Sequence, residues 1–122
     1  MDMLNFEDMQ QMQKKLQEKH RDEWPALTPE YGRSCLLWMT EEFGEAVSLV
    51  KKRGDRQIME DAAVRGAFVE ELADVLMFLN DALLCYDVTP GEFSDAYEAK
   101  YRRNMHRDWS KELEPVRRGG EG

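Results

Sequence analysis

Apolar residues recur at three- and four-residue steps through nearly all of this chain, and nowhere do they alternate over the length of a strand. From Asn5 to about His20, Phe6, Met9, Met12 and Leu16 fall on one stripe, so the spacing predicts a first helix there. "RDEWPALTPEYG" interrupts it with Pro25 and Pro29. Thr28 before Pro29 reads as an N-cap with proline at the first helical position, and a second helix is expected from Pro29 to about Arg53. Lys51, Lys52 and Arg53 suit the negative end of its dipole, and Gly54 lies just beyond.

Residues 54–66, "GDRQIMEDAAVRG", are charged and weakly periodic. A loop with at most a short helical turn is expected, a candidate lid. A third helix follows from about Ala67 to Tyr86, and its sequence "FVEELADVLMFLNDALLCY" is apolar nearly all round. Such a helix is buried on several sides, in a bundle centre or a subunit interface, with Phe68, Val75, Leu79 and Leu83 as the packing residues. Thr89, Pro90 and Glu92 form a capping-box pattern, opening a fourth helix that runs to about His106. The expected fold is an all-α four-helix bundle, one domain over residues 1–112 followed by a disordered tail over 113–122.

A chain of 122 residues, 42% hydrophobic and 34% charged, is sized for one modest globular core. No apolar run reaches the roughly 18–20 residues of a membrane span, and "MDMLNFEDMQQ" lacks the basic start and apolar stretch of a signal peptide. No membrane partner and a cytoplasmic location are therefore expected. Cys35 and Cys85, both in apolar helical surroundings, are expected to be small reduced core residues. A net charge of −8 argues against binding polymeric nucleic acid. An anionic ligand would need local cations, either side chains or metal ions.

Against this background the acidic residues inside the apolar helices stand out. Glu42 and Glu45 are three residues apart on the second helix, with Trp38 and Leu49 four residues to either side on the same face. On the third helix Glu71 and Asp74 repeat that spacing between Ala67 and Phe78, and Asp81 continues the stripe. If the two faces meet, four carboxylates converge, and like charges at close range keep some of them protonated unless a cation intervenes. Hard divalent cations such as Mg²⁺ or Mn²⁺ prefer oxygen ligands and fit such a set. A di-iron site would need Glu-x-x-His on two helices, but Gln17 precedes His20 and Arg103 precedes His106 at that spacing. Zinc is equally disfavoured, as no Cys/His cluster has ligand spacing.

Lys100, Asn104 and Arg107, spaced by four and three, form a face suited to gripping phosphate oxygens. A basic helix C-terminus stabilised by the macrodipole would look the same in isolation. Trp38 and Phe78, on the carboxylate faces, could stack on a base, as could Trp24 and Tyr31 near the start of the second helix. Asp81 and Asn80 could hydrogen-bond a base or ribose.

"EEFGE" at 41–45 followed by "EELAD" at 70–74 resembles the EExxE…ExxD signature of the MazG-like all-α nucleoside triphosphate pyrophosphohydrolases. The Lys100-xxx-Asn104-xx-Arg107 pattern is similar to that family's phosphate-binding end, so the resemblance spans residues 41 to 107. It implies a bundle of the all-α nucleotide pyrophosphatase type, assembled as a homodimer or homotetramer. It also implies Mg²⁺-dependent cleavage between the α- and β-phosphates of a nucleoside triphosphate, giving a monophosphate and pyrophosphate. By motif position, Glu42, Glu45, Glu71 and Asp74 would ligate metal, Glu41 would support them or orient the attacking water, and Lys100, Asn104 and Arg107 would hold the phosphates. Two other readings stay open: an acidic helical assembly module without turnover, and a nucleotide sensor that releases its ligand intact.

Overall fold

A computed structural model describes residues 2–108 and 110. The tail expected over 113–122 lies outside the described residues. Four helices account for the fold: α1 (Phe6–Lys19), α2 (Pro29–Glu60), α3 (Ala62–Cys85) and α4 (Pro90–His106). No strand occurs among the described residues. The all-α, four-helix reading is therefore borne out. The chain forms two compact units divided after Pro90, with α1, α2 and α3 in the first and nearly all of α4 in the second. No described helix is long and apolar enough to cross a membrane.

The helix starts follow the capping signals. Asn5 accepts from the Asp8 N–H at 2.8 Å, and the Asp8 carboxylate reaches back to the Asn5 N–H, a reciprocal box that closes the start of α1. The Thr28 hydroxyl accepts from the Tyr31 N–H, with Pro29 in the first turn of α2. At the end of α3, Asp87 takes a left-handed conformation (φ 56°). Its N–H bonds to the Leu84 carbonyl and that of Val88 to the Leu83 carbonyl, a Schellman closure.

The expected loop at 54–66 is corrected by the structure. Gly54 does break α2, at φ 83° and ψ 158°, a conformation open only to glycine. Helical structure resumes immediately and runs to Glu60, and α3 begins at Ala62 rather than Ala67. The reason is Asp61, whose extended backbone turns the chain while its carboxylate accepts from the Ala63 and Val64 N–H groups. Buried Ile58 and Val64 anchor the two sides of this corner. The segment is thus a capped helical corner and not a loop.

α2 and α3 pair antiparallel, and the register is set by their small residues. Tyr31, Cys35, Ala82 and Cys85 form the buried cluster where the start of α2 meets the end of α3, with Phe78 packed against it. Cys35 and Cys85 are free thiols in this core, as expected. Burial, with the charge of Asp81 second, pushes the Cys35 thiol up to about 12, so it is not a nucleophile. Gly32 permits the close approach. A Cβ there would meet Tyr86 Cε2 at 2.7 Å and Cys85 Cβ at 2.9 Å, and the latter is fixed to the backbone of α3. Gly32→Ala is expected to destabilise the protein by about 1–3 kcal/mol, measured as a lower urea midpoint at unchanged slope.

α1 departs from its expected stripe. Met12 is exposed, and the buried residues are Gln10, Gln13 and Gln17, one step around the helix. The partner surface on α3 explains this: buried Asn80 and Asp81 lie there, and Gln13 Nε2 donates to Asp81 Oδ1 at 2.8 Å. A polar face on α3 selects a polar face on α1.

Candidate functional site

The antiparallel register that joins Cys35 to Cys85 carries the acidic positions of α2 onto those of α3. Carboxylate oxygens of Glu42, Glu45 and Glu71, one from each, lie within 4.8 Å of one another. Glu42 and Glu71 are half-buried and Glu45 is exposed. The electrostatic consequence falls on Glu71, whose carboxyl is pushed up to about 7. The first cause is a carboxyl–carboxyl hydrogen bond to Glu45, which exists only while a proton is shared; desolvation and the charges of Glu45 and Glu42 add to it. Glu42 is also raised, chiefly by desolvation and further by the charges of Glu45 and Asp74, although the hydrogen bond from Glu71 offsets part of the rise.

Glu71 Oε2 is enclosed and meets no hydrogen-bond donor. An acceptor oxygen shut away among other acceptors fits a cation better than it fits water. The donor set is all carboxylate, which suits a hard divalent ion and not a soft one. The residues present therefore fit such an ion.

Of the other expected ligands, Asp74 lies close enough to act electrostatically on Glu42, but it is outside the tight trio. Glu41 is exposed and not part of it. Lys100, Asn104 and Arg107 belong to the second unit, where all three are exposed. Lys100 and Asn104 share a face of α4, and Arg107, just past its last residue, donates from Nη1 to Asn104 Oδ1 at 3.4 Å. Arg107 also lines a basic cleft with Arg102, Arg103 and His106.

Beside the carboxylates the first unit contains a cavity of about 370 Å³. Trp24, Tyr31, Trp38 and Phe78 form its aromatic wall. Trp38 is the middle of an aromatic chain, 6.0 Å from Tyr31 on one side and 6.0 Å from Phe78 on the other, centroid to centroid. Asp74 lines the cavity and also acts on Glu42, so cavity and carboxylates adjoin. All four aromatics singled out in the sequence, together with Asp81, come to this one place.

Gln13 and Gln17 complete the wall, and the sequence reading missed both. The one available signal was the Gln10–Gln13–Gln17 spacing, which places three amides on a single helical face. Asn80 is fully buried and its Oδ1 has no partner, but it does not line the cavity. Comparison with protein-family models, with curated proteins and with solved structures found no match to this chain.

Proposed function

We propose that this chain is a Mg²⁺-dependent nucleoside triphosphate pyrophosphohydrolase of the MazG-like type, with Mn²⁺ as an alternative ion. The observation that carries the reading is the convergence of Glu42, Glu45 and Glu71 oxygens within 4.8 Å of one another, with an unpartnered Glu71 oxygen, directly beside an aromatic cavity of nucleoside size. On this reading the chain acts in the cytoplasm on a free nucleotide, not on polymeric nucleic acid, as its charge of −8 favours.

Glu42, Glu45 and Glu71, with Asp74 behind them, would hold the ion. When bound, a divalent cation neutralises phosphate charge and makes water a better nucleophile at neutral pH. Trp38 and Phe78 would stack on the base and fix the substrate, while Lys100, Asn104 and Arg107 would grip phosphate oxygens. Glu41 would orient the attacking water. The water oxygen forms a bond to phosphorus as the α–β anhydride bond breaks; a glutamate takes the water's proton, and pyrophosphate leaves. No covalent nucleophile is required, and the buried, high-pKa thiol of Cys35 supplies none.

The test is pyrophosphate release from a panel of ribo- and deoxyribonucleoside triphosphates with Mg²⁺. Release together with a monophosphate supports the reading. Nucleotide binding without turnover would make the chain a sensor, and metal binding alone would make it an assembly module.

The same reading includes self-association. Leu36, Phe43, Val47 and Val50 on α2, and Val69, Leu72 and Leu76 on α3, are all exposed apolar residues. Phe68, Val75, Leu79 and Leu83, the expected packing residues, are half-buried. Exposed apolar residues on two paired helices suit burial against a second copy of the chain. Light scattering at micromolar concentration is expected to give at least twice the monomer mass, a homodimer or homotetramer; a monomer would sink this part.

A further inference from the structure

α4 holds its largest apolar side chains in water. No residue of the helix is buried, and Tyr97, Tyr101 and Met105 are 72%, 58% and 64% exposed. Half-buried Phe93 precedes them, so a large apolar residue recurs at every fourth position from 93 to 105. Four-residue spacing makes a continuous ridge along a helix. A helix of 17 residues that buries none of its side chains is held chiefly by its own hydrogen bonds, and such helices are marginal in water. Covering the ridge supplies what is missing.

Charge decides what can cover it. The first half of α4 carries Glu92, Asp95 and Glu98, and the second half Lys100, Arg102 and Arg103. A uniformly acidic partner is repelled by the first half, and a uniformly basic one by the second. A segment whose charges run in the reverse order suits both halves, and α4 of a second copy, laid antiparallel, is such a segment. That arrangement also opposes the two helix dipoles.

The order of the apolar residues agrees with it. With a two-fold axis crossing at the level of Ala99, Tyr97 comes opposite the partner's Tyr101, and Phe93 opposite the partner's Met105. Glu98 and Arg102, an ion pair within the helix, run along one edge of the ridge. Like edges adjoin in an antiparallel pair, so Glu98 meets the partner's Arg102 and Arg102 the partner's Glu98, a network of four charges. Lys100, Asn104 and Arg107 run along the other edge. They stay at the rim, where water and salt screen the two copies of Lys100 from each other.

We infer that the exposed ridge of α4 is a self-association surface, separate from the apolar faces of α2 and α3, on which α4 of a second copy lies antiparallel. The α4 contact needs neither metal nor nucleotide. Two different two-fold contacts in one chain close a tetramer, so together with the proposed contact through α2 and α3 it makes a dimer of dimers.

The full chain and its variants are compared by light scattering and sedimentation velocity at one micromolar-range concentration, with circular dichroism to check helix content. The unaltered chain is expected at four times the monomer mass. Tyr97→Ser combined with Tyr101→Ser changes exposed positions only and should halve that mass. Glu98→Arg leaves only cations along the network edge and Arg102→Glu only anions, so each alone should also halve it. An equimolar mixture of these two variants restores opposite charges across the contact and should recover the full mass. An ion pair acting only within its own helix would alter helix content, leave the masses unmoved and gain nothing from mixing. Unchanged mass in the tyrosine variant or in either charge variant, or a mixture that stays at half mass, would overturn the inference. Tyrosine-dependent binding to vesicles of anionic lipid, with the mass unmoved, would overturn it in favour of a membrane surface. A dimer that the tyrosine changes convert to a monomer would uphold the α4 contact and refute the one through α2 and α3. Pyrophosphate release, or its absence, reports on the proposed reaction and leaves these masses to decide the α4 contact.

Discussion

Glu71→Gln is expected to cut pyrophosphate release by roughly 10²- to 10³-fold, the usual scale for removing one preorganised electrostatic partner of a transition state. Glu71 is the residue on which the acidic cluster converges: one of its carboxylate oxygens lies within 4.8 Å of those of Glu42 and Glu45, and its Oε2 has no hydrogen-bond partner. The glutamine side chain keeps the shape but cannot carry the negative charge that an ion requires. Glu45→Ala and Asp74→Ala should also abolish release, Glu45 as a member of the trio and Asp74 through its position between the trio and the cavity. Glu41→Gln should behave differently, since Glu41 is exposed and outside the trio. Its loss is expected to stay within about 10- to 100-fold, the range of groups that act through a metal's ligands. Steady-state rates for the four variants decide the matter, and equal effects at Glu41 and Glu71 would refute these role assignments.

Without a divalent ion the protein should lose stability as pH rises from about 4.5 towards 7. Glu71 has a folded-state pKa of about 7 against an ordinary value of 4.5, so the folded chain holds a proton that the unfolded chain releases. Stability is therefore fullest below the ordinary value and declines as pH climbs through the folded one. Glu42, raised in the same direction, steepens the decline. A divalent cation reverses the sign of the problem, because it binds the ionised carboxylates and must displace the shared proton. At a hundred times its Kd the ion adds about 2.7 kcal/mol, a rise in Tm of roughly 10 °C for a chain of this size. Thermal melts with EDTA and with Mg²⁺ at pH 5 and pH 8 should show a large metal effect at pH 8 and a small one at pH 5. A metal effect independent of pH, or one that survives in Glu71→Gln, would mean that Glu71 is not a ligand.

The readability of this chain divides along physical lines. Local chemistry announced the helices: Asn5, Thr28 and Pro29 set the starts that the structure shows, and Gly54 marked the break in α2. The 54–66 segment was misread because its charges hide a helix whose stability comes from a single cap, Asp61, and two buried anchors, Ile58 and Val64. The carboxylate pairs were legible because three-residue spacing is a helical property. On α1 the same rule misled, since the apolar stripe through Met12 was more conspicuous than the glutamine face that is actually buried.

By itself the sequence determined that the chain is all helical, where α1, α2 and α4 begin, and that Glu42 with Glu45 and Glu71 with Asp74 each share a helical face. These follow from dihedral preferences, caps and a 3.6-residue period, all of which act within a few residues. Only the tertiary structure decided that Glu42, Glu45 and Glu71 meet while Glu41 does not, and that Gln13, Gln17 and Asp81 join four aromatic rings around one cavity. Those outcomes depend on the register of α2 against α3, set by the close contact of Gly32 with Cys85 and Tyr86, and on which face α1 turns inward. Contacts between residues far apart in the chain are selected by the packing of whole faces, and no local pattern encodes them.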